Sequence, residues 1–299
     1  VTGQETGALV GHSPTEAPAR RGRPNLVRQK LEAGQPVLGA ALQIDSPWLV
    51  EILALAGFDY VLLDGEHGFA LRNLPVLVMA AQGAGIEPIV RLPSHDRGFL
   101  LQALEAGAAG VQVPMVETAA EAARLVEETK YAPLGRRGFS SATRAARYGS
   151  RTSEEVAELG NRDTLLVVQL ETARAVANAA EIAVVPGVDV VFVGPADLAQ
   201  SMGLTPPEGN PTDPHLLETL RRAFGACRRH VPVGSSVFSA EQVRLWRAEG
   251  AAYFLCGTTS PIRTALGRIR TDFAHALARE TAAGTPVLGQ RQQAKDPRT

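Results

Sequence analysis

Cysteine and lysine are among the scarcest residues of this 299-residue chain, with two and three copies. Two thiols, Cys227 and Cys256, are too few for a disulfide framework or a thiolate metal cluster. A reducing, cytoplasmic compartment is therefore expected. Lys30, Lys130 and Lys295 stand against 27 arginines, so any Schiff-base chemistry has only three candidates. Charge of one sign is also lacking: 30 basic residues meet 31 acidic ones, a net charge of −1. That balance disfavours a dedicated nucleic-acid binder. No apolar run approaches the ~18 residues of a membrane span, and no basic segment followed by an apolar stretch marks a secretory signal. What is present is ordinary for a folded protein. Hydrophobic residues make up 45% and charged residues 20%, which excludes disorder, collagen and coiled coil for the bulk of the chain.

Residues 1–23 are rich in Gly, Pro and Thr without a usable period and are expected to form a disordered tail; residues 283–299 read as a second flexible tail. Between them a pattern recurs in LALAGFDYVLLDG, LEAGAAGVQVP, VPGVDVVFVG and RAEGAAYFLCG. Each is a helix stopped at glycine and followed by a short apolar run. Near-continuous apolar strands imply a parallel sheet covered by helices. Eight such strands are expected, at 37–43, 60–64, 88–92, 110–114, 165–170, 188–193, 232–237 and 253–257. Helices are expected at 47–56, 71–84, 97–106, 118–129, 173–183, 214–229 and 239–248. Further helices precede the first strand (24–34) and follow the last (261–280). Eight strand–helix units predict a single (β/α)8 TIM barrel over 24–282. A doubly wound open sheet is the structural alternative, weakened because no G-x-G-x-x-G follows the first strand. Residues 131–163 and 203–213 are connections longer than the fold requires.

Barrel active sites form at the carboxyl ends of the strands. The second strand delivers Asp64, Glu66 and His67 there, the third Arg91, the fifth Gln169 and Glu171, and the sixth Gly194-Pro195-Ala196-Asp197. Glu171 and Asp197 are two carboxylates at neighbouring barrel positions, a donor set for a hard cation such as Mg²⁺ or Mn²⁺. For Asp197, helix capping is the competing reading. The helix opened by Pro195 offers backbone N–H groups to a carboxylate. His67, with Asp64 three residues earlier, forms a candidate carboxylate–imidazole pair for acid–base work. Arg91 could steady an enolate oxygen or pair with Asp64 or Glu66. Gln169 shares a face with Glu171, toward the lumen, where a substrate contact and a structural role compete. Glu117 reads as a helix-start carboxylate, and Cys256 as a small buried residue. None of the three lysines ends a strand, so carbon–carbon chemistry beside a ketone would need a metal as electron sink.

In order and spacing, LLDGEHG, Arg91-x-Pro93, VPMVET, GRRGFSSATRAARYG, VQLET and GVDVVFVGPADLAQSMG resemble the HpcH/HpaI aldolase family of class II pyruvate aldolases. The resemblance runs from about Asn25 to about Leu266. It implies a (β/α)8 barrel that cleaves 4-hydroxy-2-oxo acids to pyruvate and an aldehyde. It implies Glu171 and Asp197 as ligands of a divalent metal (Mg²⁺ or Mn²⁺ first, Co²⁺ or Zn²⁺ as further options). His67 with Asp64 is the implied acid–base group at the C4 hydroxyl, and Arg91 the residue that steadies the enolate. Gln169 is implied as a substrate or metal-water contact, and Ala196 as a carboxylate-binding amide. The resemblance also implies a trimeric or hexameric homo-oligomer with the final helix exchanged between barrels. Small-molecule substrates are the expected partners, with neither nucleic acid nor membrane. Two departures concern specificity: Ser94 replaces a frequent Trp, and Cys256-Gly257-Thr258-Thr259-Ser260 replaces a frequent Gly-Ser-Asp ending. The alternatives are citrate-lyase-β-like or acyl-CoA lyase chemistry on a related barrel, and a non-catalytic barrel that binds a 2-oxo acid.

Overall fold

The structure, a computed structural model, describes residues 24–68, 71–207, 209 and 211–282. The expected tails, 1–23 and 283–299, lie outside the described residues. Eight parallel strands close into one barrel in sequence order. They are β1 (Val37–Leu42), β2 (Tyr60–Asp64), β3 (Glu87–Arg91), β4 (Gly110–Val113), β5 (Leu165–Leu170), β6 (Val190–Val193), β7 (Val233–Ser236) and β8 (Tyr253–Gly257). β8 returns to β1 with Val37 opposite Tyr253. Every expected strand forms, with ends displaced by at most two residues.

Alternation along each strand divides the apolar side chains between two cores. Val61, Leu63, Val90 and Val111 face the surrounding helices. Tyr60, Leu62, Ile89, Val167, Phe192 and Tyr253 fill the lumen. The Tyr60 and Tyr253 rings stack there with centroids 4.6 Å apart. Tyr60 lies so close to β1 that a Cβ on Gly39 would stand 2.1 Å from its ring, so glycine is required at that point. The helix Leu26–Glu32 closes the amino end, with Val27 and Leu31 in the lumen core.

The helical expectations also form, with three differences. The helix expected over 71–84 is α-helical only over Leu74–Ala84, after a 3₁₀ turn at Leu71–Asn73. The segment expected as one helix over 173–183 is two, Ala173–Ala177 and Ala179–Ala183, broken at Asn178. Asn178 turns its amide outward to donate to the Glu117 carbonyl at 2.8 Å. The long connection 131–163 is not all loop, because it ends in a helix over Ser153–Asp163. Its start carries a reciprocal cap: Thr152 accepts from the Glu155 N–H and Glu155 accepts from the Thr152 N–H. Only Val156 of that helix is buried, so its apolar periodicity is too weak to announce it. No helix among the described residues is long and apolar enough to cross a membrane.

Candidate active site

Asp64 and Arg91 occupy paired register positions at the ends of β2 and β3. Adjacent strands therefore bring them together without any loop. Arg91 donates to Asp64 through Nε at 3.0 Å and through Nη2 at 2.7 Å, a two-pronged contact with a fully buried carboxylate. Burial alone would raise the Asp64 pKa, but the Arg91 hydrogen bonds and charge outweigh it and hold Asp64 below the usual carboxylate range. Arg91 in turn stays above its ordinary value despite burial. Its Nη1 reaches Glu66 Oε2 at 3.1 Å. Glu66 is pushed upward, first by burial.

The expected pairing of Asp64 with the His67 imidazole is not what the structure forms. Asp64 Oδ1 accepts from the backbone N–H groups of Glu66 and His67, each at 3.1 Å, and both its oxygens serve Arg91. A forked guanidinium satisfies a buried carboxylate better than one imidazole N–H can. The turn held by those amides leaves the His67 side chain 55% exposed at the cavity, with Nε2 3.8 Å from Glu66 Oε2. Asp64 therefore places His67 through the main chain, and Glu66 is the carboxylate beside the ring.

Glu171 follows β5 and is 2% exposed. Its Oε2 accepts from the Met115 N–H at 3.0 Å, and its Oε1 accepts from the Gln169 amide. Gln169 Oε1 accepts from the Gln112 amide across β4 and β5. Both ends of the Gln169 amide are thus committed within the barrel, which makes it a positioning group for Glu171. Met115 reaches Glu171 from a left-handed backbone, φ 56°, unusual for a non-glycine residue. Gly194 lies against the same carboxylate, where a Cβ would stand 2.8 Å from Oε1. Burial is the main cause that raises the Glu171 pKa to about 7; Asp197 and Glu66 add repulsion that the hydrogen bonds do not cancel.

Asp197 sits in the first turn of the helix Pro195–Ser201, whose cap position, Gly194, offers no side-chain hydrogen bond. Ala196, on the same turn, is exposed. His67, Arg91, Gln169, Glu171, Ala196 and Asp197 line one cavity of about 990 Å³ at the carboxyl end of the barrel. The structure thus brings together on one rim every predicted site residue except Asp64, which lies behind Arg91. Glu117 belongs to the scaffold: it accepts from Thr172 Oγ1 at 2.6 Å and from Arg174 at 3.3 Å. Lys130 is buried at the amino end, donating to the carbonyls of Asn161 at 3.0 Å and Thr164 at 2.7 Å. It is placed for no imine at the rim.

A sequence model of the HpcH/HpaI aldolase/citrate lyase family matches residues 41–260. The chain belongs to this family. A 2-dehydro-3,6-dideoxy-6-sulfogluconate aldolase of Pseudomonas putida is 38% identical over 218 residues, 72% of this chain and 84% of its own length. A 5-keto-4-deoxy-D-glucarate aldolase of Salmonella arizonae is 35% identical over 239 residues, 79% of this chain and 91% of its own. The crystal structure of an HpcH/HpaI aldolase from Desulfitobacterium hafniense superposes with a TM-score of 0.76 at 29% identity, covering 82% of this chain and 95% of that one. The protein is a carbon–carbon lyase, an aldolase on a (β/α)8 barrel.

Three parts of this aldolase rim have roles that the sequence does not show. Gln112 is the lone polar residue of β4, in GVQV, and sits opposite Val167 in the β4–β5 register. That isolation was its available signal. Met115 carries none, because its role belongs to the backbone. Gly194 reads as a helix cap, and only the approach of Glu171 shows what its missing Cβ does.

Proposed function

We propose that this aldolase cleaves a 4-hydroxy-2-oxo acid to pyruvate and an aldehyde, with a divalent cation held by Glu171 and Asp197. The supporting observation is the state of Glu171. It is a buried carboxylate with two acidic neighbours, its pKa raised to about 7, and the nearby Arg91 already serves Asp64 and Glu66. Such a site is short of positive charge. Among the described residues no group of three or more His, Cys, Asp or Glu is placed to hold an ion. A two-carboxylate donor set suits Mg²⁺ or Mn²⁺, which keep water and take substrate oxygens. When bound, the cation supplies a Lewis acid for the keto acid.

The chain's own residues do the rest. The Ala196 N–H, at a helix start with no side-chain cap, would take a substrate carboxylate oxygen. His67, exposed to the cavity beside Glu66, would accept the C4 hydroxyl proton. The C3–C4 bond then breaks, C4 leaves as the aldehyde carbonyl, and the electron pair becomes the enolate of pyruvate. Arg91 commits two of its five N–H donors to Asp64 and meets Glu66 as an ion pair. The remaining donors can face the enolate oxygen. Protonation at C3 completes pyruvate.

Oligomerisation through the last helix is part of the same reading. Ile262, Leu266, Ile269 and Phe273 lie exposed along one side of Thr259–Ala282. Trp48, Ile52 and Leu55 are exposed on the helix Pro47–Leu55. A second copy of this chain is the fitting cover for both. Two free cysteines accord with a cytoplasmic protein.

The deciding experiment is a pyruvate-release screen over 4-hydroxy-2-oxo acids, with and without Mg²⁺ or Mn²⁺. Release that EDTA abolishes and metal restores is expected. Full activity in metal-stripped protein would overturn the metal assignment, and cleavage confined to CoA thioesters would overturn the substrate class.

A further inference from the structure

The cavity at the carboxyl end is larger than the chemistry described above requires. At about 990 Å³ it has room well beyond a pyruvate unit. The residues given roles so far stand at the ends of β2, β3, β5 and β6. The lining continues over β7, β8 and β1 through Phe238, Gly257 and Gln43. β2 pairs with β1 on one side and with β3 on the other. Arg91 fills the β3 side, held by Asp64 and Glu66. Substrate atoms beyond C4, the carbon whose hydroxyl meets His67, therefore run over β1 and β8. A Cβ on Gly257 would meet nothing within 4 Å, so that path is open.

This side of the mouth is fixed by hydrogen bonds. Gln242, 2% exposed, accepts from the Phe238 N–H at 2.8 Å, and the Val237 N–H donates to the Leu255 carbonyl at 2.8 Å. Those two bonds hold the exposed Phe238 side chain at the cavity. Thr258 Oγ1 donates to the Ala41 carbonyl at 2.7 Å, which ties the start of the helix Thr259–Ala282 to β1. That helix turns Pro261, Thr264, Ala265 and Arg268 to the cavity. They form a stripe at helical spacing, distinct from the apolar one of Ile262, Leu266 and Ile269.

Arg268 is the cation of this wall. The acids lining the cavity are Glu171 and Asp197, which follow β5 and β6. Among the described residues Arg268 forms no hydrogen bond or ion pair, either with them or with Asp272 one turn along the helix. We propose that this wall is the subsite for the aldehyde half of the substrate, and that Arg268 selects aldehydes whose far end carries an acid group, a carboxylate or a phosphate. A guanidinium suits either oxyanion, and Phe238 covers the carbons between. The proposal rests on the reading of His67, Glu171 and Asp197 given above and adds the class of aldehyde.

Initial rates of aldol addition of pyruvate to paired aldehydes, with Mg²⁺ present, test it. The pairs are 4-oxobutanoate against butanal, and glyceraldehyde 3-phosphate against glyceraldehyde. A kcat/KM about tenfold higher for the acid member of at least one pair is expected, carried mainly by KM. Arg268→Met should erase that ratio, as the loss of one charge-assisted contact implies, and Arg268→Lys should restore part of it. Arg270→Met removes the same charge from another side of the helix and should leave the ratio as it is. Arg268 is exposed on its helix, so its substitution spares the fold. Preference within the first pair assigns a carboxylate, and within the second a phosphate. No preference in either pair overturns the proposal. So does a preference that survives Arg268→Met or falls equally in Arg270→Met. Absence of all turnover would sink the pyruvate reading by itself, and the subsite is then read by calorimetric titration with 4-hydroxybutanoate and with glycerol 3-phosphate. Saturable binding weakened about tenfold in Arg268→Met upholds it, and binding that is absent, or unchanged in that variant, overturns it.

Discussion

The two ends of this barrel hold charge in different ways. At the carboxyl end Glu66, Glu171 and Asp197 converge around Arg91, and burial holds Glu171 near pH 7. At the amino end Arg137, Arg144, Arg147 and Arg151 line a cavity together with Glu87 and Asp163, and Glu105 and Glu155 act on them from nearby. The carboxyl end is short of positive charge and calls for a cation, whereas the amino end sets both signs side by side. Asp64–Arg91 marks the contrast within the rim itself: a buried pair that is fully matched has no need of a ligand. The lesson is that imbalance, rather than charge as such, points to binding.

The largest test breaks the matched pair. Asp64→Ala leaves Arg91 buried with Glu66 alone and should cost about 3–5 kcal/mol of stability, as measured by urea unfolding. A cost below about 1 kcal/mol would mean that water already screens the pair.

Next comes the unmatched carboxylate. Glu171→Gln should lower pyruvate release by roughly 10²–10³-fold, the loss expected when a preorganised charge-stabilising element goes. The fold should be retained by circular dichroism.

The raised Glu171 pKa fixes the sign of a pH effect. In the folded, metal-free protein Glu171 keeps its proton to about pH 7, whereas in the unfolded chain it loses it near its ordinary value. The folded state therefore binds more protons across that window. Its stabilising contribution is complete below the unfolded pKa and is lost as pH rises toward 7, by roughly 3 kcal/mol. Thermal unfolding with EDTA should show the loss. Added Mg²⁺ should reverse it, and metal affinity should weaken about tenfold for each pH unit below 7. A melting temperature flat between pH 4.5 and 7 would remove the charge imbalance from the argument.

The smallest effect sharpens the rim's geometry. Gly194→Ala places a methyl against Glu171 and should cost about 1–3 kcal/mol. It should weaken metal binding about 10–100-fold, as outer-shell changes do. Calorimetry with Mg²⁺ on the variant and the parent separates the two losses.

Much of this was legible in advance. The helix-glycine-strand repeat is local, so eight strands and their order follow from apolar runs and stops. The rim residues are legible for the same reason: a polar residue just past an apolar strand has one place to go. The sequence offers Asp64 to His67 and, separately, Arg91 to Asp64 or Glu66, and register joins Asp64 to Arg91. The helix Ser153–Asp163 escaped because one buried residue gives no period, although its Thr152–Glu155 cap stands in the sequence.

Composition and periodicity alone determine a parallel sheet of eight strand–helix units, leave no lysine at a strand end for an imine and set out which carboxylates end which strands, because these are consequences of spacing along the chain; closure into a barrel is seen only in the fold. Only tertiary structure decided that Asp64 serves Arg91, that Met115 and Gly194 shape the seat of Glu171, and that four arginines share a space at the other end. Those facts depend on distances between segments far apart in sequence, and on how much water the fold leaves around each charge.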